Sequence, residues 1–317
     1  MRCKSSPKIS RNFPSPPLIE QIQAKTLIAP LDRVKILFQA SSPQFVKYTG
    51  SWFGVVNAVK DIQRNEGLWG LYRGHSATLL RIFPYAAIKF VAYEQFRAVL
   101  INSKEQETPF RRFMSGSLAG VTSVFFTYPL EVIRVRLAFE TKRDRRSGLV
   151  NICQRIYAEG ETPRNTKFPK PLQGFAGLAN FYRGFFPTLL GMLPYAGVSF
   201  LAHDMMGDLL RNPRLAKHTT LSYPTTLAGD QQYESNQKVR LKIWAQLLAG
   251  GVAGMCSQTA SYPLEVIRRR LQVGGAVGTG QFLKMGETAR LIYRTSGIRG
   301  FFIGLSIGYI KIVPMTA

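Results

Sequence analysis

Pro30-Leu31-Asp32-Arg33-Val34-Lys35 is the stretch that decides the fold, because its order of proline, acid and base recurs twice along the chain. It returns as Pro129-Leu130-Glu131-Val132-Ile133-Arg134 and as Pro263-Leu264-Glu265-Val266-Ile267-Arg268. In every copy the acid stands two positions after the proline and the base stands five positions after it. Self-similarity of this kind predicts a fold that is built from copies of one structural unit.

Two further motifs follow each copy in the same order. The first begins with Glu-Gly or Ser-Gly and ends on a glycine, and the second ends on a proline: Glu66–Gly74, Glu159–Gly160 with Phe181–Gly184, and Ser296–Gly304; then Pro84, Pro194 and Pro314. Each unit therefore predicts a long helix, a short amphipathic helix and a second long helix. The expected helices are Leu18–Gln39, Trp52–Asn65 and Leu71–Leu100, then Phe110–Ala138, Val150–Ala158 and Phe181–Leu210, then Leu241–Gln272, Phe282–Arg294 and Phe301 to the end.

The composition excludes several classes of protein. The 317 residues include 42 Lys and Arg against 18 Asp and Glu, which gives a formal charge of +24. With 45% hydrophobic residues the chain is too apolar for a disordered polycation. Its three cysteines form no CxxC pair or Cys/His cluster, so we expect neither a disulfide scaffold nor a metal site.

Long uncharged runs predict membrane-spanning helices. Phe113 to Leu130, Gly184 to His203 and Ile243 to Leu264 contain no Asp, Glu, Lys or Arg. A helix of about 20 residues crosses the hydrocarbon core of a bilayer. Buried helices of a large soluble protein are the alternative, but three such runs in one chain favour membrane spans.

These motifs resemble the signature of the mitochondrial carrier family, Pro-x-Asp/Glu-x-x-Lys/Arg followed by Asp/Glu-Gly and an aromatic-basic-Gly ending. The resemblance covers residues 24–317 and implies an all-α fold, with six transmembrane helices in a pseudo-threefold bundle around a central cavity. It also implies a multi-pass protein of the mitochondrial inner membrane that transports by alternating access. We therefore expect no enzyme activity, catalytic residue, metal or cofactor, and a monomer that lies in the bilayer and contacts lipid, with cardiolipin as a candidate.

The repeats set the expected organisation of the chain. We expect an atypical extension and the start of the first helix at 1–23, then carrier repeats at 24–105 and 106–215. A polar linker follows at 216–238, and the third repeat covers 239–317. We expect the first helix to be atypical, because Pro17 and Gln21 replace the GxxxG glycines that precede the other two prolines. We also expect a truncated sixth helix, with impaired transport and reduced stability.

The motif prolines should kink their helices, because each one removes a backbone hydrogen bond. These kink residues are Pro30, Pro129 and Pro263. The charges that follow them lie on one helix face, so they pair either within a helix or as a ring across helices. A ring predicts a matrix gate with the pairs Asp32–Arg134, Glu131–Arg268 and Glu265–Lys35.

The resemblance adds two further sets of residues. It implies glutamine braces nine residues after the prolines, which Gln39 and Gln272 match and Ala138 does not. It also implies a cytoplasmic gate at the far ends of the even-numbered helices, where the matching residues are Tyr93, Glu94, Arg97 and Asp204.

Three positions in the second long helix of each unit predict the substrate; they precede Pro84, Pro194 and Pro314. Arg81, Gly191 and Lys311 each stand three residues before such a proline, and Lys25 adds a further cation. Cations inside a membrane are costly unless an anion neutralises them, although snorkelling to the interface is the alternative. Gly191 with Met192 leaves a small slot beside Tyr195, and the resemblance links such a slot to adenine-containing substrates.

Within the family, strings such as Phe83–Ile88 and Leu193–Gly197 look most like the coenzyme A carriers, the group of the Graves disease carrier protein. We therefore expect a carrier that exchanges coenzyme A or a related adenine nucleotide. An ATP-Mg/phosphate or ADP/ATP-type carrier is the alternative. A basic nucleic-acid-binding protein is the alternative from another class, but the uncharged runs argue against nucleic acid as a partner.

Overall fold

The computed structural model describes residues 17–42, 44–48, 52–101, 108–140, 148–159, 177–220, 241–274 and 283–316. Expectations for the first 16 residues, for most of the stretch 161–178 and for 221–238 lie outside these residues. No strand occurs in the described part of the chain, where a single isolated bridge joins Thr220 to Leu241.

Three units of two long helices and one shorter helix follow one another along the described chain. Their bounds are α1 Pro17–Gln39, α2 Trp52–Glu66, α3 His75–Leu100, α4 Pro109–Phe139, α5 Leu149–Ala158, α6 Phe185–Leu210, α7 Pro213–Thr219, α8 Ile243–Val273, α9 Met285–Ser296 and α10 Leu305–Thr316. The predicted all-α fold of three repeats is confirmed. The short helix α7 extends into the start of the expected polar linker.

The second long helix of each unit begins later than predicted. A 3₁₀ turn and then a glycine precede each of them, and the glycines Gly74, Gly184 and Gly304 have φ angles of 84°, 80° and 83°. A side chain is strained in this left-handed region, so glycine allows the chain to turn there before the helix starts. The starts are therefore His75, Phe185 and Leu305, not Leu71, Phe181 and Phe301.

Helix α3 packs along α4, and α6 packs along α8, while α10 lies against both α8 and α1. Stripes of small residues support these contacts. In α4 they are Ser115, Ala119 and Ser123, and in α8 they are Ala245, Ala249 and Ala253, all of them buried. Ala245 and Ala249 pack against Leu210 of α6.

The predicted glycine pairs do not make these close contacts. A Cβ atom built on Gly116, Gly120 or Gly250 meets nothing within 4 Å. The buried stripe lies one position away in sequence, about 100° around the helix from each glycine. Gly116, Gly120 and Gly250 of the GxxxG pairs therefore do not form the close helix contacts, which the neighbouring small residues make instead.

Two described helices have the length and hydropathy of a membrane span. They cover Phe110–Phe139 and Gly177–Leu210, with mean hydropathies of 1.3 and 1.5 in their most apolar windows. The acid and base of each proline motif lie in α1, α4 and α8. Polarity in these helices is expected if their charged faces turn toward the interior of a bundle.

Gly184→Ala should destabilise the protein by about 2 kcal/mol or more, because the new Cβ combines left-handed strain with a contact at 3.0 Å from the Tyr128 hydroxyl. Gly120→Ala is the matched control, since it meets no neighbour and should stabilise the helix by about 0.5–1 kcal/mol. Melting temperatures in detergent measure both changes. Destabilisation by Gly120→Ala would restore a packing role for the glycine pair.

Candidate functional site

Three ion pairs join α1, α4 and α8 in their C-terminal halves. Arg134 lies 3.1 Å from Asp32, and Lys35 lies 3.1 Å from Glu265. Arg268 contacts the carboxylate of Glu131. Each of the three pairs connects two different repeats, so the acids and bases of the motif pair across helices in this structure. We call these six residues the charged ring.

The proline motif explains why the ring forms where it does. Pro30, Pro129 and Pro263 lie inside α1, α4 and α8. The acid and base that follow are three positions apart, so each helix presents both signs of charge on one face. Three equivalent helices can then form a closed ring of ion pairs, to which each repeat contributes one acid and one base.

Two of the predicted substrate cations also contact the ring. Nζ of Lys311 lies 2.7 Å from Oδ1 of Asp32, and a guanidinium nitrogen of Arg81 lies 3.2 Å from Oε2 of Glu131. Both cations come from the second long helix of a repeat and reach an acid on the first long helix of the next repeat. The structure therefore brings Arg81 and Lys311 of the predicted substrate site into one network with the charged ring.

Arg269 is a further member of this network that the repeat motif did not predict. Its guanidinium lies 3.3 Å from Glu131 and donates to the side-chain oxygen of Gln272 at 3.0 Å. Glu131 thus faces three arginines while only 2% of its surface is exposed. The run Arg268-Arg269-Arg270 was the available signal, because Ile36 and Val135 occupy the position of Arg269 in the other two repeats.

A cavity of about 610 Å³ lies beside α3 and extends to Arg134 of the charged ring. Lys25, Arg81 and Arg134 line it, together with residues of α3 that include Tyr85, Lys89 and Tyr93. The guanidinium carbon of Arg81 lies 5.5 Å from the ring centre of Tyr85, which is a cation–π distance. The cavity combines cations with aromatic surface, and such a lining suits a phosphorylated aromatic ligand.

The predicted adenine slot lies elsewhere. Gly191, Met192 and Tyr195 belong to α6 and are not among the residues that line this cavity. A Cβ atom on Gly191 would lie 3.6 Å from the Cβ of Leu264, so the glycine sits against α8 next to Glu265. Gly191 thus has the same position relative to Glu265 that Arg81 has relative to Glu131 and Lys311 has relative to Asp32. The slot itself stays a prediction.

The two predicted glutamines, Gln39 and Gln272, are buried one helical turn after the ring bases of α1 and α8, but their contacts differ. Nε2 of Gln272 donates to the hydroxyl of Tyr128 at 3.0 Å, and that hydroxyl donates to the carbonyl of Arg183 at 2.9 Å. Nε2 of Gln39 has no hydrogen-bond partner among the described residues. Gln272 thus connects α8 with α4, and Gln39 lies beside Tyr262 and Glu265 of α8, so the two braces stay a prediction.

Two arginines outside the prediction hold the ends of the helices together. Arg33 makes two hydrogen bonds to Glu66, at 2.8 and 3.0 Å, and donates to the carbonyl of Ala138 at 3.1 Å. Arg136 makes two hydrogen bonds to Glu159, at 2.8 and 2.9 Å. Such forked pairs are the strong form of the interaction. We call Arg33–Glu66 and Arg136–Glu159 the clamps; the Glu-Gly repeat was the sequence signal for their acids.

The residues of the expected cytoplasmic gate lie at the other end of the long helices. Tyr93 lines the cavity, and Glu94, Arg97 and Asp204 are exposed on α3 and α6. The charged ring thus lies at one end of the bundle, and the residues expected for the cytoplasmic gate lie at the other.

Comparison with known proteins gives consistent matches. The family model described as "Mitochondrial carrier protein" matches residues 18–104, 105–163 and 239–317. "Mitochondrial carrier protein LEU5" of Saccharomyces cerevisiae is 54% identical, over 93% of this chain and 83% of that protein. Human "Solute carrier family 25 member 16" is 40% identical, over 93% and 80%. "Mitochondrial coenzyme A transporter SLC25A42" of Xenopus tropicalis is 35% identical, over 91% and 76%.

Exchanging the charges of a pair tests the ring. Lys35→Glu and Glu265→Lys should each remove most of the transport activity, because each breaks an ion pair of the ring. The double exchange should restore much of that activity. This pair is the cleanest choice, because Lys35 is the ion-pair partner of Glu265 among the described residues. The coupling energy from such a cycle is expected at about 0.5–3 kcal/mol, measured by melting temperature in detergent and by exchange rate in liposomes.

The matched comparison is the exchange Glu131→Arg with Arg268→Glu. It should recover little, because the new arginine would face Arg81 and Arg269. Equal recovery by both double exchanges would contradict a network in which Glu131 is shared.

Proposed function

The chain belongs to the mitochondrial carrier family, and on that premise we propose that it exchanges coenzyme A, or a related adenine nucleotide, across the mitochondrial inner membrane by alternating access. Members of this family are transporters, so the function requires binding and relocation and no covalent chemistry. The proposal also assigns the chain a multi-pass position in that membrane.

The excess of positive charge around the cavity carries this proposal. Three acids, Asp32, Glu131 and Glu265, meet a larger set of bases. These bases are Lys25, Lys35, Arg81, Arg134, Arg268, Arg269 and Lys311. Buried charge without a counter-ion is costly, so a ligand that brings several negative charges is the natural complement. A substrate with a diphosphate and a further phosphate meets this requirement.

The aromatic and apolar surface supports an adenine nucleotide over a simple inorganic anion. Tyr85 and Tyr93 line the cavity beside the cations, and a purine ring stacks well on such side chains. Gly191, Met192 and Tyr195 on α6 are proposed to receive the adenine when the substrate occupies the centre of the bundle. The relative that is named a coenzyme A transporter supports the same class of substrate.

The contacts of Arg81 and Lys311 suggest how binding opens the gate. Without substrate these cations neutralise Glu131 and Asp32. Phosphate groups that bind the two cations compete with the carboxylates, and each acid then loses one partner. The ring is weakened at two of its three acids only when an anion is present. The helices can then separate on this side, while Tyr93, Glu94, Arg97 and Asp204 close the other side.

Exchange in liposomes tests the proposal. Purified protein should exchange external labelled coenzyme A for internal coenzyme A or adenine nucleotides. Arg81→Ala and Lys311→Ala should each lower the rate by about tenfold or more, because each removes a charged hydrogen-bond partner worth about 1.5–3 kcal/mol. Gly191→Phe should reduce exchange by filling the space beside Leu264.

Lys60→Ala is the matched control, since Lys60 is exposed on α2 and lies away from the cavity. A protein that exchanges ADP and ATP but not coenzyme A would move the assignment to the nucleotide carriers. Normal exchange by the Arg81→Ala and Lys311→Ala variants would place the substrate outside this network.

A further inference from the structure

Lys89 is a cation inside an apolar stretch of α3 that the proposed mechanism does not use. Between Ile82 and Tyr93 it is the one charged residue. Placing an ammonium group within a membrane-spanning helix costs several kcal/mol unless it meets water or an opposite charge. A helix that only needed to pack would not require a lysine at this position. Lys89 therefore has a role in the cavity that it lines.

The surroundings of Lys89 show what that role requires. It lines the 610 Å³ cavity together with Lys25 and Arg81. No ion pair within the described residues involves Lys89, whereas Arg81 and Lys311 are each held by an acid of the ring. The ammonium group is exposed to the cavity without a protein carboxylate to neutralise it, so its complement is an anion that enters from outside.

Comparison of α3 with α6 indicates that this lysine is not a packing requirement of the repeat. Counted from Pro84 and Pro194, Lys89 corresponds to Ser199, while the neighbouring Phe90 corresponds to another phenylalanine. Arg81 likewise corresponds to a glycine, as described above. The aromatic residues are shared by the two helices and the positive charges are confined to α3. An asymmetric ligand with its anionic groups on the α3 side accounts for this difference.

The spacing of the cations indicates two separate anion subsites. Eight residues separate Arg81 from Lys89, which is about 12 Å along a helix. The lower subsite, at the ring, has Arg81 and Lys311 and suits a diphosphate. The upper subsite has one lysine, and Tyr85 and Phe90 line the cavity beside it. It suits a single phosphate on the far side of a ribose.

We propose that Lys89 binds a second phosphate of the substrate, separate from the diphosphate at the charged ring. This inference rests on the proposed function and deepens it, because in coenzyme A the separate group is the 3′-phosphate of the ribose. Lys89 is then the residue that distinguishes coenzyme A from substrates that carry a diphosphate alone.

The test compares coenzyme A with 3′-dephospho-coenzyme A, which differ by that phosphate alone. Lys89→Ala should raise the KM for coenzyme A in liposome exchange by about tenfold and change that for the dephospho compound by less than about twofold. Lys89→Arg should retain most of the preference for coenzyme A. Ser199→Ala, at the equivalent position on α6, is the matched control and should leave both substrates unchanged.

Binding provides a second readout that does not require transport. Adenosine 3′,5′-bisphosphate should raise the melting temperature of the detergent-solubilised protein more than AMP does, and Lys89→Ala should abolish the difference. Equal effects of Lys89→Ala on both substrates, or no effect on either, would overturn the assignment of Lys89. If wild-type protein exchanges neither compound, the proposed function fails. A bisphosphate shift that is lost with Lys89→Ala would still support the second subsite.

Discussion

Ionised side chains can be buried in this bundle only if each one meets an opposite charge, and the convergence of α1, α4 and α8 depends on that constraint. Asp32, Glu131 and Glu265 find their cations on neighbouring helices, so no helix of the three can leave without exposing an unpaired charge. Separation becomes possible when another ion replaces the lost partner. In the proposed mechanism the substrate is that ion. The ring end of the bundle therefore stays closed as long as no substrate is bound.

The clamps have a different physical task from the ring. Arg33 and Arg136 bond to Glu66 and Glu159 in forked geometry, and both also reach a backbone carbonyl of a neighbouring long helix. They fix the ends of α1 and α4 to the shorter elements of their own repeats. The third repeat has Ser296 at the place of these acids, and Arg270 donates to Ser41 instead. Arg270 therefore bonds to a neutral hydroxyl where Arg33 and Arg136 have forked pairs with a carboxylate, which are stronger.

Threefold symmetry is also broken among the residues around the ring, where a ligand would bind. Arg81, Gly191 and Lys311 occupy one repeat position and surround the three acids unequally, and Arg269, which corresponds to Ile36 and Val135, adds a charge beside Glu131. The core positions are more alike: Tyr128 and Tyr262 both donate to the carbonyl that precedes a left-handed glycine. A symmetric scaffold needs only repeated packing, whereas an asymmetric substrate needs different groups on each side.

The sequence by itself determined the three repeats and the all-α fold, because a motif that is repeated three times states which positions are equivalent. It offered the ring as one of two possible pairings, the other being pairs within a helix. It did not determine that Arg81 and Arg269 both reach Glu131, nor that the close contacts use Ala245 and Ala249 instead of the glycines. Only the tertiary structure decided these features. They depend on how far each helix is rotated about its axis and on how far long side chains reach between non-equivalent positions, and neither quantity is contained in a repeat pattern.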